Sequence, residues 1–407
     1  MVQILEGADP LQPLRFPDIR NLLSRAGKGG LLDGPDLRDI SIVLGLSQTT
    51  KRLLQIHSST FSTIGARSQN FQDMTSLKQA LDSCIDFNGN LRESATPELY
   101  QLTQKSQDLR QTMRRRLEHM LGSQEYEDLL QEQYFAEREN RYVIPVKAER
   151  QHDIDGIVHD ISSSGATVFV EPRHLIELNN SIKFADLQVA QETRHILQDL
   201  SSLVSENVPS IQENLNSLAA LDCLMAKARL SIKIHGSPIH LNQKHRIDLR
   251  QARHPLLALT KEQVVPNSIR IEGDTKVLII SGPNAGGKTV SLKMVGLIAM
   301  MVKVGLLPPC DSDSDMALFE RVYADNGDTQ DLRKDVSSFS GHILNIIALL
   351  KDAGSLKRTP IHDSLVLLDE VGSSTDPIEG AALAEALLGY LCELGCIIVT
   401  TTHYPTL

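Results

Sequence analysis

The residues Gly282-Pro283-Asn284-Ala285-Gly286-Gly287-Lys288-Thr289 have the G-x-x-x-x-G-K-[ST] spacing of a loop that closes on phosphate. Glycines there let backbone N–H groups turn inward around phosphate oxygens, and a helix starting behind them adds its positive end. Lys288 can reach β- and γ-phosphates, and the Thr289 hydroxyl can ligate Mg²⁺. An apolar strand is expected to lead in from Lys276 to Ser281, buried on both sides. Helical apolar spacing follows from Ser291 to Val304. Loop, strand and helix agree, so the chain is expected to bind a nucleoside triphosphate, ATP, with Mg²⁺.

A second constellation suits hydrolysis. Ser364 to Leu368 reads as an apolar strand, central in a parallel sheet, and it ends in Asp369-Glu370. Ligands of such sheets lie at the carboxyl ends of the strands. Asp369 would hold Mg²⁺ beside Thr289, and Glu370 would orient the attacking water. Ile397 to Thr402 is another strand, with His403 at its end, where an imidazole could sense the γ-phosphate. A helix from Glu379 to Leu394 separates these strands. Ser337 or Ser338, ahead of a further helical stripe, could cap that helix or offer donors to the γ-phosphate of a neighbouring subunit.

Three regions must position these groups. Pro17 to about Gln133 reads as helical, broken at Gly27-Lys28-Gly29-Gly30, Asp33-Gly34-Pro35 and Asn88-Gly89-Asn90. Leu99, Leu102, Leu109, Met113, Leu117 and Met120 form one amphipathic stripe, and Arg114-Arg115-Arg116 beside it reads as a solvated, ion-paired face. From Arg141 the period changes to that of a compact sheet of about three strands, Arg141–Lys147, Gly156–Ile161 and Ala166–Val170. Pro145 suggests an edge strand. Long helical stripes return from Leu175 to Glu206 and again after Pro209, fitting equally an ordinary helical domain or a lever carrying a β tip. From about Ile247 strands and helices alternate as in a nucleotide-binding α/β sheet.

Composition limits the partners. The formal net charge is −10 over 407 residues, so any nucleic-acid contact must come from a local surface or an enclosing shape. Aromatics are 4% with no tryptophan, which leaves little for base stacking on single strands. Five scattered cysteines read as small hydrophobes in a reducing compartment. The first ten residues lack an apolar core, and the apolar stretch Val295 to Pro309 is interrupted by Lys303, so a cytoplasmic protein without membrane attachment is expected.

These residues resemble the MutS family of ABC-type ATPases. The phosphate loop is similar, including Pro283-Asn284. Ser337-Ser338-Phe339 resembles the family's Ser-Thr-Phe signature, with serine for threonine. Asp369-Glu370 and Thr402-His403-Tyr404 also correspond. Arg253-His254-Pro255, followed by Val265-Pro266-Asn267, resembles the approach to the adenine pocket. Within the family, Arg141–Lys147, Ser162–Pro172 and Thr375-Asp376-Pro377 are similar to the second bacterial branch, often fused to an Smr nuclease domain.

The resemblance implies an α plus α/β fold: helical core and lever over 1–136, a small β clamp over 137–175, returning lever helices over 176–245, and an ABC-type ATPase domain over 246–407. It implies that Glu370, Lys288 and His403 act in catalysis and that Val265 lines the nucleotide site. It also implies a homodimer through the ATPase domain, in which Ser337 and Ser338 complete the partner's site. Because the sequence stops at Leu407, helices that finish the family's ATPase domain and the nuclease domain are expected to be missing, and nuclease activity with them. A clamp on mismatched, branched or recombining DNA that suppresses recombination is the leading expectation. The alternatives are a ribosome-associated ATPase that splits stalled or collided ribosomes and a nucleotide-switched clamp with little turnover. No Leu-Ser-Gly-Gly run of the transporter type is present.

Overall fold

The computed structural model describes residues 1–7, 11–283, 286–325, 346, 347, 350, 364–372 and 376–403. Packing divides the chain into two compact units, residues 14–220 and residues 1–13 with 221–407. Its class is mixed, helices with one small antiparallel sheet in the first unit and α/β in the second.

Five helices carry the apolar stripes of the first unit: Arg20–Gly27 (α1), Gly34–Ile56 (α2), Thr75–Cys84 (α3), Pro97–Leu121 (α4) and Ile176–Glu206 (α5). Each long one starts where chemistry favours it. Asp33 and Asp36 form a capping box at α2, with Pro35 in its first turn, a cap worth about 1 kcal/mol. Thr96 caps α4 by accepting from the Leu99 N–H at 3.0 Å. α4 buries Leu99, Met113, Leu117 and Met120. It lies antiparallel to α5, with Ser106 and Arg110 both bonded to Asp186, at 2.7 and 2.6 Å. Arg114–Arg116 are exposed, and none forms an ion pair among the described residues.

Between α4 and α5 the chain forms a four-stranded antiparallel sheet in the order β1-β2-β4-β3: Ala136–Arg138 (β1), Arg141–Lys147 (β2), Gly156–Ile161 (β3) and Thr167–Pro172 (β4). The sequence pattern shows three of them. β1 is only three residues long, too short for alternation to register. β2 is an interior strand, so the edge expected from Pro145 is corrected. Pro145 is tolerated because β1 pairs only Arg141 to Val143. Beyond β1, Pro145 accepts from the Gln131 N–H at 3.0 Å, and its missing N–H faces that same side. One face of the sheet packs Ile144, Val146, Val168 and Val170 against Met113 and Leu117.

The second unit takes in the helix Val208–Lys233 (α6) from Leu221 onward. One of its sheets has the order β5-β9-β6-β7, built from His240–Asn242 (β5), Ile247–Ala252 (β6), Asn267–Ile271 (β7) and Asp315–Ala317 (β9). The other is wholly parallel: Arg321–Asp325 (β10), Ser364–Leu368 (β11), Ile397–Thr402 (β12) and Val277–Ser281 (β8), in that spatial order. The helix Lys288–Lys303 (α7) packs Leu292, Val295 and Ile298 against Leu365, Leu367, Ile397 and Val399. The helix Pro377–Glu393 (α8) packs Leu387, Leu388 and Leu391 against Val366, Leu368 and Ile398. Alternate residues thus face opposite helices, and β11 and β12 are apolar throughout for that reason. β8 is only half-buried, against expectation, because it is a terminal strand of this sheet among the described residues. No described helix is long and apolar enough to cross a membrane.

Candidate active site

Parallel pairing brings the ends of β8, β11 and β12 to one edge, with Thr402 opposite Ser281 and Thr400 opposite Leu368. Two chain reversals start there, after β8 and after β11. After β8, Gly282 has φ +139° and Gly287, which caps α7, has φ +80°. Both values lie where only glycine is at ease. Between them the Gly286 N–H donates to the Pro283 carbonyl at 3.0 Å. Asn284 and Ala285 fall outside the described residues.

Lys288 is the first residue of α7, yet it is only 4% exposed. Its Nζ turns back across the loop to the Gly282 carbonyl at 2.6 Å. The same Nζ lies 3.2 Å from Nδ1 and 3.0 Å from Nε2 of His403. Near-equal distances put the ammonium over the ring face, since an in-plane approach would collide with Cε1. His403 Nε2 lies 2.9 Å from Glu370 Oε1; an ionised Glu370 accepts, so that nitrogen carries the proton. Lys288, His403 and Glu370 therefore form one continuous polar chain across the sheet edge.

Thr289 and Asp369 form a neighbouring pair. The Thr289 hydroxyl donates to Asp369 Oδ1 at 3.2 Å, and Asp369 is 7% exposed. A hydroxyl beside a nearly buried carboxylate supplies two hard oxygens, the donor type Mg²⁺ takes. The chemistry of the pair fits that ion. The Asp369 N–H continues the β10 ladder by donating to Asp325 O at 2.9 Å.

Thr401 is a site residue that motif reading passes over. Its hydroxyl donates to Asp369 Oδ1 and accepts from the Glu370 N–H at 2.9 Å. The sequence did carry a signal: Thr400, Thr401 and Thr402 are consecutive polar residues in a strand, and all three are buried. Glu370 itself has φ +52°, so its backbone departs from β11 in the left-handed region, at about 1–2 kcal/mol for a residue with a Cβ. Gly372 completes that turn at φ +82°, where an added Cβ would sit 2.4 Å from the Gly380 carbonyl.

The structure thus brings Gly282, Lys288, Thr289, Asp369, Glu370 and His403 together through hydrogen bonds and the contact of Lys288 with the His403 ring. Val265 is not among those they connect; it is 82% exposed on the segment ahead of β7. Ser337 and Ser338 lie outside the described residues, as do Thr375 and Tyr404.

Known proteins share these features. The profile of MutS domain V matches residues 278–407, the stretch that carries the phosphate loop, both acids and His403. "Endonuclease MutS2" of Geobacillus sp. (strain WCH70) is 38% identical over 393 residues, covering 96% of this chain and 49% of that protein. The proteins of that name from Brevibacillus brevis (strain 47 / JCM 6285 / NBRC 100599) and Lactobacillus acidophilus (strain ATCC 700396 / NCK56 / N2 / NCFM) are 36% and 37% identical, each over 99% of this chain and 50% of theirs. The chain spans about half the length of these relatives. Their likeness runs through the helical unit and its small sheet as well as the ATPase-type unit, and on that combined ground the chain belongs to the MutS family as a MutS2-like member.

Proposed function

We propose that this chain binds ATP with Mg²⁺ at the β8–α7 loop and hydrolyses it. The observation that supports this reading most is the chain of contacts from Lys288 through His403 to Glu370, set beside the Thr289–Asp369 pair. The glycines of the loop and the α7 N-terminus would cradle the phosphates, and the Lys288 ammonium would neutralise them. Thr289 and Asp369 would hold Mg²⁺, which would supply positive charge to the phosphate oxygens. Glu370 accepts a hydrogen bond from the attacking water and orients it, and His403 reports γ-phosphate occupancy to β12. Val265 covers the base, while Ser337 and Ser338 of one copy complete the site of a second.

Nucleotide-driven closure of such a dimer suits a clamp on mismatched, branched or recombining DNA, where it would suppress recombination. The relatives' name, an endonuclease, fits a protein that works on nucleic acid, and cleavage itself is not proposed for this chain. Phosphate release is the test, measured for the wild type and Glu370→Gln, alone, with a four-way DNA junction and with ribosomes. Turnover that rises with the junction and falls by about 10²–10⁴ in Glu370→Gln, with ATP affinity kept, is expected. Stimulation by ribosomes alone would transfer the proposal to ribosome splitting. Binding with no turnover under any condition would leave a nucleotide switch.

A further inference from the structure

Far in sequence from the loop, the helical unit holds a cleft of about 630 Å³ between α2, α3 and the Ile85–Arg92 turn. That is within the usual range for small-molecule sites, about 300–1,000 Å³. Arg15, Arg38, Lys78 and Arg92 line it, against two carboxylates, Asp82 and Asp86. In a chain of net charge −10 this is a local reversal of sign.

Both carboxylates are already occupied. Asp82 is bonded to Lys78 and to the Ser41 hydroxyl. Asp86 accepts the Asn88 and Asn90 N–H groups at 2.9 and 2.8 Å. Arg38 is committed too, to Asp39 Oδ1 at 2.7 Å and to the Asn88 carbonyl at 3.3 Å, but Arg15 and Arg92 are less so. Arg15 makes no hydrogen bond or ion pair among the described residues. Arg92 spends only Nε, on the Asp82 and Ile85 carbonyls at 3.2 and 3.3 Å, leaving its Nη groups for another acceptor. Gly45 admits Lys78 here, since a Cβ would stand 2.8 Å from Lys78 Cε.

Beside these cations stands a ring that the fold keeps in water. Phe87 is 84% exposed in a chain poor in aromatics. Its loop is held firmly. The Asp86 N–H donates to Asn90 O at 2.8 Å, Gly89 N–H to Asp86 O at 3.0 Å, and Ile85 bridges Leu91. Gly89, at φ +86°, seats the loop on the first turn of α2: a Cβ on Gly34 would come within 2.0 Å of Gly89 O. A large apolar ring fixed outward beside uncommitted guanidinium groups suits a ligand with both a planar face and an anionic end.

We propose that this cleft binds a nucleoside phosphate, with Phe87 against the base and Arg15 and Arg92 on the phosphate. The ligand is either a free nucleotide or one nucleotide of a single strand. The test is equilibrium dialysis of radiolabelled AMP against the full chain carrying Lys288→Ala, which removes the loop's principal phosphate cation.

Arg15 is exposed and carries no internal contact, so Arg15→Glu should fold, and it should weaken AMP binding at least about tenfold. Phe87→Ala should weaken it about fivefold or more, while leaving competition by inorganic phosphate unchanged. Competition by unlabelled AMP and by a short single-stranded oligonucleotide then identifies the source, the tighter competitor being the one the cleft takes. Unchanged affinity in both variants, or no AMP binding at millimolar concentration, would overturn the proposal.

Discussion

Thr401 gives its hydroxyl hydrogen to the Asp369 carboxylate and its lone pair to the Glu370 N–H. Thr401→Val keeps the shape and removes both bonds. A partly buried N–H left without a partner costs about 1 kcal/mol, and the Glu370 side chain loses the anchor of its own backbone. We expect a matching loss in denaturant melting together with slower phosphate release, and recovery of both in Thr401→Ser. Wild-type turnover in the valine variant would show that Glu370 needs no such anchor. Glu370 offers the converse experiment. Its φ of +52° is comfortable only for glycine. Glu370→Gly should therefore keep stability, or gain up to about 1 kcal/mol, while turnover falls by about 10²–10⁴. A clear stability loss would mean that the contact with His403 outweighs the backbone strain.

Among the elements, the small sheet depends on one buried acid. Glu171 on β4 is 0% exposed. Its Oε1 accepts from Arg141 at 2.7 Å and Asn179 at 2.8 Å, and its Oε2 lies 2.7 Å from His159 Nε2. Those partners stand on β2, α5 and β3, so one carboxylate fastens three strands to the start of the long helix. Glu171→Leu leaves the Arg141 and Asn179 donors unmatched, and a loss of about 3–5 kcal/mol is expected in urea unfolding. A loss below about 1 kcal/mol would show that apolar packing alone holds the sheet.

Glu171 also shows what a sequence conceals. The strands and long helices were legible because burial imposes a period on apolar residues, on both faces of β11 and on one face of α4. The loop was legible because phosphate binding prescribes glycine, lysine and threonine at set intervals. An acid inside an apolar strand, a threonine between two strand ends, and a three-residue β1 have no such period. Their partners come from distant segments, and only the folded pairing brings them together. The first turn of α7 escaped for a related reason, since Lys288 to Ser291 are chosen for the loop more than for the helix stripe.

At the scale of the molecule, two compact units and two proposed ligand sites can be read separately through thiols. Burial pushes the Cys396 thiol up to about 11, with Cys392 adding to the rise, and burial raises Cys310 as well. At pH 8 about one Cys396 in a thousand would be thiolate even if reached by reagent. Alkylation of Cys310 and Cys396 therefore reports opening of the unit that holds the phosphate loop. ATP at about a hundred times its Kd should stabilise that unit by about 2.7 kcal/mol, slowing their labelling about a hundredfold, and Lys288→Ala should abolish the effect. Cys84, half-buried in the other unit, precedes Ile85 of the cationic cleft. AMP should slow its labelling even in Lys288→Ala, and Arg15→Glu should remove that protection. If Lys288→Ala instead erased protection at all three thiols, a single nucleotide site would govern both units, and the cleft would have no ligand of its own.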